Sequence, residues 1–146
     1  MIQRIQSVWL FLAAMLNGLL FIFPLYRYNN PNPVYSPWQV EGVKGYLPLF
    51  ILATIITILP LITIFLFGDR KRQRRFVWIT MISTLSFIGM VVLRISNLKN
   101  STPPISNFEY LLPGILVSFV ALIFLFLALR GINKDEKLIR SMDRLR

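Results

Sequence analysis

The chain has 146 residues, 55% of them hydrophobic, a mean hydropathy of +0.63 and a formal charge of +10 from sixteen basic and six acidic side chains. Cysteine and histidine are both absent, which excludes disulfides, thiolate nucleophiles, imidazole bases and the usual ligands of zinc, haem and iron–sulfur clusters. The positive balance is what basic flanks of membrane spans produce, so it argues for no nucleic-acid partner.

Four apolar runs fill most of the sequence: Trp9 to Leu25, Tyr46 to Phe67, Phe76 to Leu93 and Phe108 to Leu129. Each is near the ~20 residues that carry a helix across ~30 Å of hydrocarbon. In lipid every backbone polar group must be paired, and none of the runs alternates apolar and polar residues as a barrel strand does. The spacing therefore predicts an all-α membrane protein: a four-transmembrane-helix bundle over residues 1–130, with a basic, amphipathic cytoplasmic tail over 131–146.

The first run follows Arg4 and has the general form of a secretory signal, but it is longer than a signal core and ends in Phe21-Ile22-Phe23-Pro24-Leu25, with no small residues at a cleavage point. It is read as a retained helix. Asn17 is the one carboxamide in the spans, and Ala14 and Gly18 are spaced as a small-xxx-small pair that lets two backbones approach closely. Ala14, Asn17 and Gly18 are therefore the candidate helix-packing residues.

The loop from Tyr26 to Gly45 combines Asn29-Asn30-Pro31-Asn32-Pro33, which is turn chemistry, with Tyr26, Tyr28, Tyr35 and Trp38. Two readings stand. The loop lies on the membrane surface with its rings in the headgroup belt, or Tyr35 to Val40 pairs with Val43 to Tyr46 in a hairpin that a partner grips. Trp38 is the candidate contact residue in either case.

In the second run Pro60 removes a backbone donor, freeing a carbonyl near Ile56 for Thr57 or a neighbouring helix to satisfy. The short basic connection Gly68 to Arg75 makes the second and third helices antiparallel neighbours. The third and fourth helices carry Arg94 and Glu109 at their outer ends, where an ion pair would fix register for about 0 to 1 kcal/mol.

Orientation follows from the flanks. Twelve of the sixteen basic residues fall in the N-terminus, the second connection and the tail; Arg27, Lys44, Arg94 and Lys99 fall on the opposite side. The asymmetry predicts both termini in the cytoplasm, in agreement with an even number of spans. In the tail, Leu138, Met142 and Leu145 recur at helical spacing, and Glu136 precedes Arg140 by four residues. A short amphipathic helix is expected there, with Lys134, Lys137, Leu138, Arg140, Met142 and Arg144 contacting either the anionic leaflet or a protein partner.

The opening Met1-Ile2-Gln3-Arg4-Ile5-Gln6, the loop element Trp38-Gln39-Val40-Glu41-Gly42 and the closing segment from Leu129 to Arg146 resemble a bacterial family of small four-span membrane proteins catalogued as a domain of unknown function. The resemblance implies a bacterial inner membrane. It implies no activity, so it assigns no catalytic, metal or cofactor residues.

Three function classes follow. An enzyme is disfavoured because six scattered acids assemble no paired carboxylates, activated serine or metal cluster. A small channel or transporter component is the alternative, although no span carries an ionisable residue in its middle to couple ion movement. The favoured reading is a non-enzymatic integral membrane scaffold or accessory subunit, whose partners are the lipid bilayer and a membrane protein of a larger assembly.

Overall fold

The computed structural model describes residues 3–29, 38–66, 68–100, 108–110 and 112–143. Four helices, α1 (Gln3–Leu19), α2 (Leu47–Phe65), α3 (Arg70–Lys99) and α4 (Leu112–Asp143), form a ring in which α1 packs on α2 and α4, and α3 packs on α2 and α4. Three short strands lie at one end: β1 (Tyr26–Asn29), β2 (Trp38–Glu41) and β3 (Phe108–Tyr110), in the order β2-β1-β3 with both pairings antiparallel. Because the strands come from the first and third connections, those two connections share an end. The second connection and the outer turns of α1 and α4 form the other end, the base.

The ring follows from one sequence rhythm. Buried positions alternate by three and four residues: Gln6, Leu10, Ala13, Asn17 and Leu20 along α1 and the turn after it; Leu49, Ala53, Ile56, Pro60 and Thr63 on α2; Gln73, Val77, Thr80, Thr84, Phe87 and Val91 on α3; Ser118, Ala121, Leu125, Ala128, Ile132 and Asp135 on α4. That spacing keeps one stripe of each helix turned inward, as in coiled-coil-like bundles. The outward faces are apolar as well, with Ile51, Ile55, Ile58 and Ile62 exposed on α2 and Ile82, Leu85, Val92 and Leu93 on α3. In water such a surface would be an aggregation liability; a helix apolar on every side suits a bilayer. Three helices, α2, α3 and α4, are long and apolar enough to cross a membrane, whereas the apolar part of α1, Ile5–Leu19, is shorter.

Several expectations are corrected. The first apolar run is helical only to Leu19; Leu20 to Phe23 leave the helix in turns that include Leu20 N–H to Asn17 O and Phe21 N–H to Gly18 O, ahead of Pro24. Strand β2 does not pair with Val43 to Tyr46, which begins with a 3₁₀ turn, Val43–Gly45; it pairs with β1, with Tyr26 opposite Glu41 and Asn29 opposite Trp38. The tail forms no separate short helix, because α4 runs unbroken through Gly131 to Asp143. Both α3 and α4 outrun their apolar runs: hydropathy ends where the surroundings become polar, and helical hydrogen bonding does not. α3 starts at Arg70 because Asp69 caps it, its carboxylate accepting from the Arg72 N–H at 3.1 Å.

Candidate functional site

Two polar clusters, one at each end of the ring, and one buried amide between them hold the chain's specific chemistry. At the sheet end, the alternation of a strand turns Tyr26 and Tyr28 to the same face of β1, where both are buried. The register sets Glu41 opposite Tyr26. Its carboxylate accepts from the Tyr26 hydroxyl at 2.5 Å and from the Tyr28 hydroxyl at 3.1 Å. Arg94, from α3, lies over the Tyr46 ring with its guanidinium carbon 4.5 Å from the centroid, a cation–π contact.

Burial, and after it the Glu41 carboxylate, push both phenols above the ordinary tyrosine range, while Arg94 pulls the other way. Each phenol therefore stays protonated and donating. The connection is clamped further where Gly114 begins the inward stripe of α4: a Cβ there would stand 2.7 Å from the Pro24 carbonyl oxygen and 3.0 Å from Leu25 Cδ2. Only glycine admits so close a backbone approach.

At the base, the Gln6 side-chain amide donates to Asp135 Oδ2 at 2.5 Å, and Arg70 Nη1 lies 3.9 Å from the same oxygen. Asp135 is buried, with 6% of its surface exposed, and its Oδ1 has no hydrogen-bond partner among the described residues. Beside it Arg74 pairs with Glu136 at 2.7 Å, and the buried Gln73 amide approaches the Thr63 carbonyl at 3.4 Å. Gly131 makes room for the Gln6 stem, since a Cβ there would lie 2.9 Å from Gln6 Cγ. Its place is a packing position inside a helix, not a boundary.

In the middle, Asn17 is fully buried and its side-chain amide donates to the Ile56 carbonyl at 3.0 Å. This is the carbonyl that Pro60, four residues on, leaves without a helical donor. Thr57 does not supply the bond: its hydroxyl donates to Ala53 O. Ala14 is buried, and Gly18 faces Thr57, whose Cγ2 would lie 3.9 Å from an added Cβ, an ordinary contact.

The other sequence-derived candidates disperse. Trp38 lies in β2 at the sheet end, while Lys134, Lys137 and Leu138 are exposed on α4 at the base. Arg140 and Met142 continue α4, and Arg144 lies outside the described residues. Arg94 lies on α3 over the Tyr46 ring, and Glu109 stands opposite Arg27 in the β1–β3 ladder. No group of three or more acidic residues is placed to hold a metal ion among the described residues.

A family model described as a domain of unknown function, DUF4293, matches residues 2–145. The chain belongs to the DUF4293 family. No curated protein and no solved structure matches it. The match bears out the resemblance to a family of unknown function, and it takes in both polar clusters, so each is part of the DUF4293 unit.

Glu41, Gln6, Asp135, Gly114 and Gly131 are not among the residues expected from the sequence to form a site. Two of these had a readable signal. Extending the three-four rhythm of α4 beyond Leu129 places Asp135 on the inward stripe, and running that of α1 backwards places Gln6 there.

Proposed function

We propose that this DUF4293 protein is a multi-pass protein of a bacterial inner membrane, with four spans and both termini in the cytoplasm, serving as a non-enzymatic scaffold or accessory subunit of a larger membrane assembly. One observation carries the reading: α4 continues past the base of the ring and presents Lys134, Lys137 and Leu138 to the surroundings. A helix extended beyond its own bundle gives a partner an element to grip. The fourth span is α1, whose 17 residues measure about 25 Å at ~1.5 Å per residue and are prolonged by the apolar turn at Leu20 to Phe23. The twelve basic residues of the base and its flanks favour the cytoplasmic side for that end.

The reading is tested on native membranes. A periplasm-active reporter is expected to be silent after Leu145 and active at Asn32, and the solubilised protein is expected to migrate in a complex heavier than its own micelle. Leu138→Asp with Met142→Asp should collapse that complex while insertion stays normal. A wild-type protein that migrates as the isolated chain defeats the scaffold assignment, and inverted reporters defeat the orientation.

A further inference from the structure

The face of α4 turned away from its buried stripe carries a second feature that the Gln6–Asp135 cluster does not use. Phe126, Leu129, Arg130, Asn133, Lys134 and Lys137 line a crevice of about 400 Å³, within the ~300–1,000 Å³ range of ligand pockets. A second crevice of about 300 Å³, lined by Arg74, Asn133, Glu136 and Lys137, adjoins it and shares Asn133 and Lys137.

Charge in this pair of crevices is unbalanced. Arg130, Lys134 and Lys137 are exposed and have no acidic partner among the described residues, while the single acid, Glu136, is held by Arg74 at 2.7 Å. Chemistry also changes along the helix axis: Phe126 is 55% exposed on the apolar side, and the cations begin one turn later at Arg130. A ligand that matches both halves has acyl chains to lie against Phe126 and a phosphodiester to meet the cations.

We infer that these crevices bind an anionic phospholipid of the leaflet at the base, and specifically a diphosphatidyl lipid of the cardiolipin type. Its two phosphates occupy the two crevices, with Lys137 and the Asn133 amide between them. Charge complementarity selects an anionic headgroup, and the shared wall selects two phosphates over one. The inference rests on the membrane reading above, but not on the orientation, because a lipid in a micelle reaches the crevices whichever way the chain inserts.

The test is native mass spectrometry of the detergent-purified full chain with tetraoleoyl cardiolipin, dioleoyl phosphatidylglycerol and dioleoyl phosphatidylcholine in equal amounts. One cardiolipin per chain is expected to be retained in preference to both other lipids. K134Q/K137Q should weaken it about thirtyfold, on the worth of two basic residues at an anionic surface. K71Q/R75Q removes the same charge from exposed positions of α3 and is expected to change retention less than about twofold. Phe126→Ala should weaken cardiolipin but leave its preference over phosphatidylcholine. Unchanged melting temperatures identify these as binding effects.

Equal losses in the two double variants would reduce the effect to bulk charge and overturn the site. Retention of phosphatidylglycerol as strong as that of cardiolipin overturns the two-phosphate assignment, and displacement by millimolar inorganic phosphate overturns the lipid. Reporter topology is measured separately, so a failed orientation and a failed lipid site give different results.

Discussion

At the sheet end Glu41 is half-buried and both of its carboxylate oxygens are engaged, by two phenols that carry no charge. At the base Asp135 is buried more deeply, yet among the described residues one oxygen has no partner and the cation paired with the other, Arg70, stands 3.9 Å away. The sheet end is closed by backbone pairing across three strands that join the first and third connections. At the base the described contacts between α1, α3 and α4 are side-chain pairs, Gln6 with Asp135 and Arg74 with Glu136, and α4 runs on past them. The carboxylate of the cap is taken up on both oxygens, whereas at the base Arg130, Lys134 and Lys137 are exposed with no acidic partner among the described residues.

The largest effect that would separate the ends comes from the two tight glycines. Gly114→Val drives a branched side chain against the Pro24 carbonyl, a backbone atom that cannot swing away, and is expected to cost about 3 kcal/mol, the upper end for overpacking. Gly131→Ala meets only the stem of Gln6 and gains about 1 kcal/mol of helix propensity, so its net effect should be much smaller. Thermal unfolding in detergent checks both, and equal destabilisation would break the comparison.

The two acids come next. Glu41→Gln weakens two bonds from buried phenols and is expected to cost about 1 kcal/mol. Asp135→Asn keeps an oxygen for the Gln6 amide and removes a poorly compensated buried charge, so it should be neutral or slightly stabilising. A large loss from Asp135→Asn, measured on the same melting curves, would show that Arg70 contributes more than its separation suggests.

The smallest effect is the response to alkali. Tyr26 and Tyr28 hold their protons more tightly in the fold than the ordinary value of 10.0. A folded pKa raised above the unfolded one contributes stability that is complete below pH 10 and is lost as pH rises beyond it. Absorbance of ionised tyrosine should therefore show at least two phenols still protonated in the folded protein where the denatured chain has begun to titrate. Tyr26→Phe with Tyr28→Phe should abolish that delay. Loss of stability already below pH 9 would place the sensitive group elsewhere.

How much of this was legible depends on the range of the interaction. The helices were, because apolar runs and the three-four rhythm are local. The unpaired carbonyl at Ile56 was legible for the same reason, whereas the start of α3 at Arg70 was not, because the basic stretch from Gly68 to Arg75 reads as a connection by hydropathy. The sheet was not: β1 is four residues long, and its partner β3 lies some eighty residues away, so no local pattern announces the pairing. Glu41 could not be matched to Tyr26 without the register of β1 on β2. Asp135 was obscured differently, since charged neighbours at Lys134, Glu136 and Lys137 mask a position that continues a buried stripe.

The bond from Asn17 to the Ile56 carbonyl also bears on the order in which the chain is made. Pro60 leaves α2 with an acceptor that its own helix cannot satisfy, a deficit of several kcal/mol in an apolar medium. The amide that fills it belongs to α1 and has left the ribosome before Pro60 is added. The segment that needs repair thus emerges after the one that repairs it, and a circularly permuted chain beginning at α2 should dwell longer with the insertion machinery than the natural one.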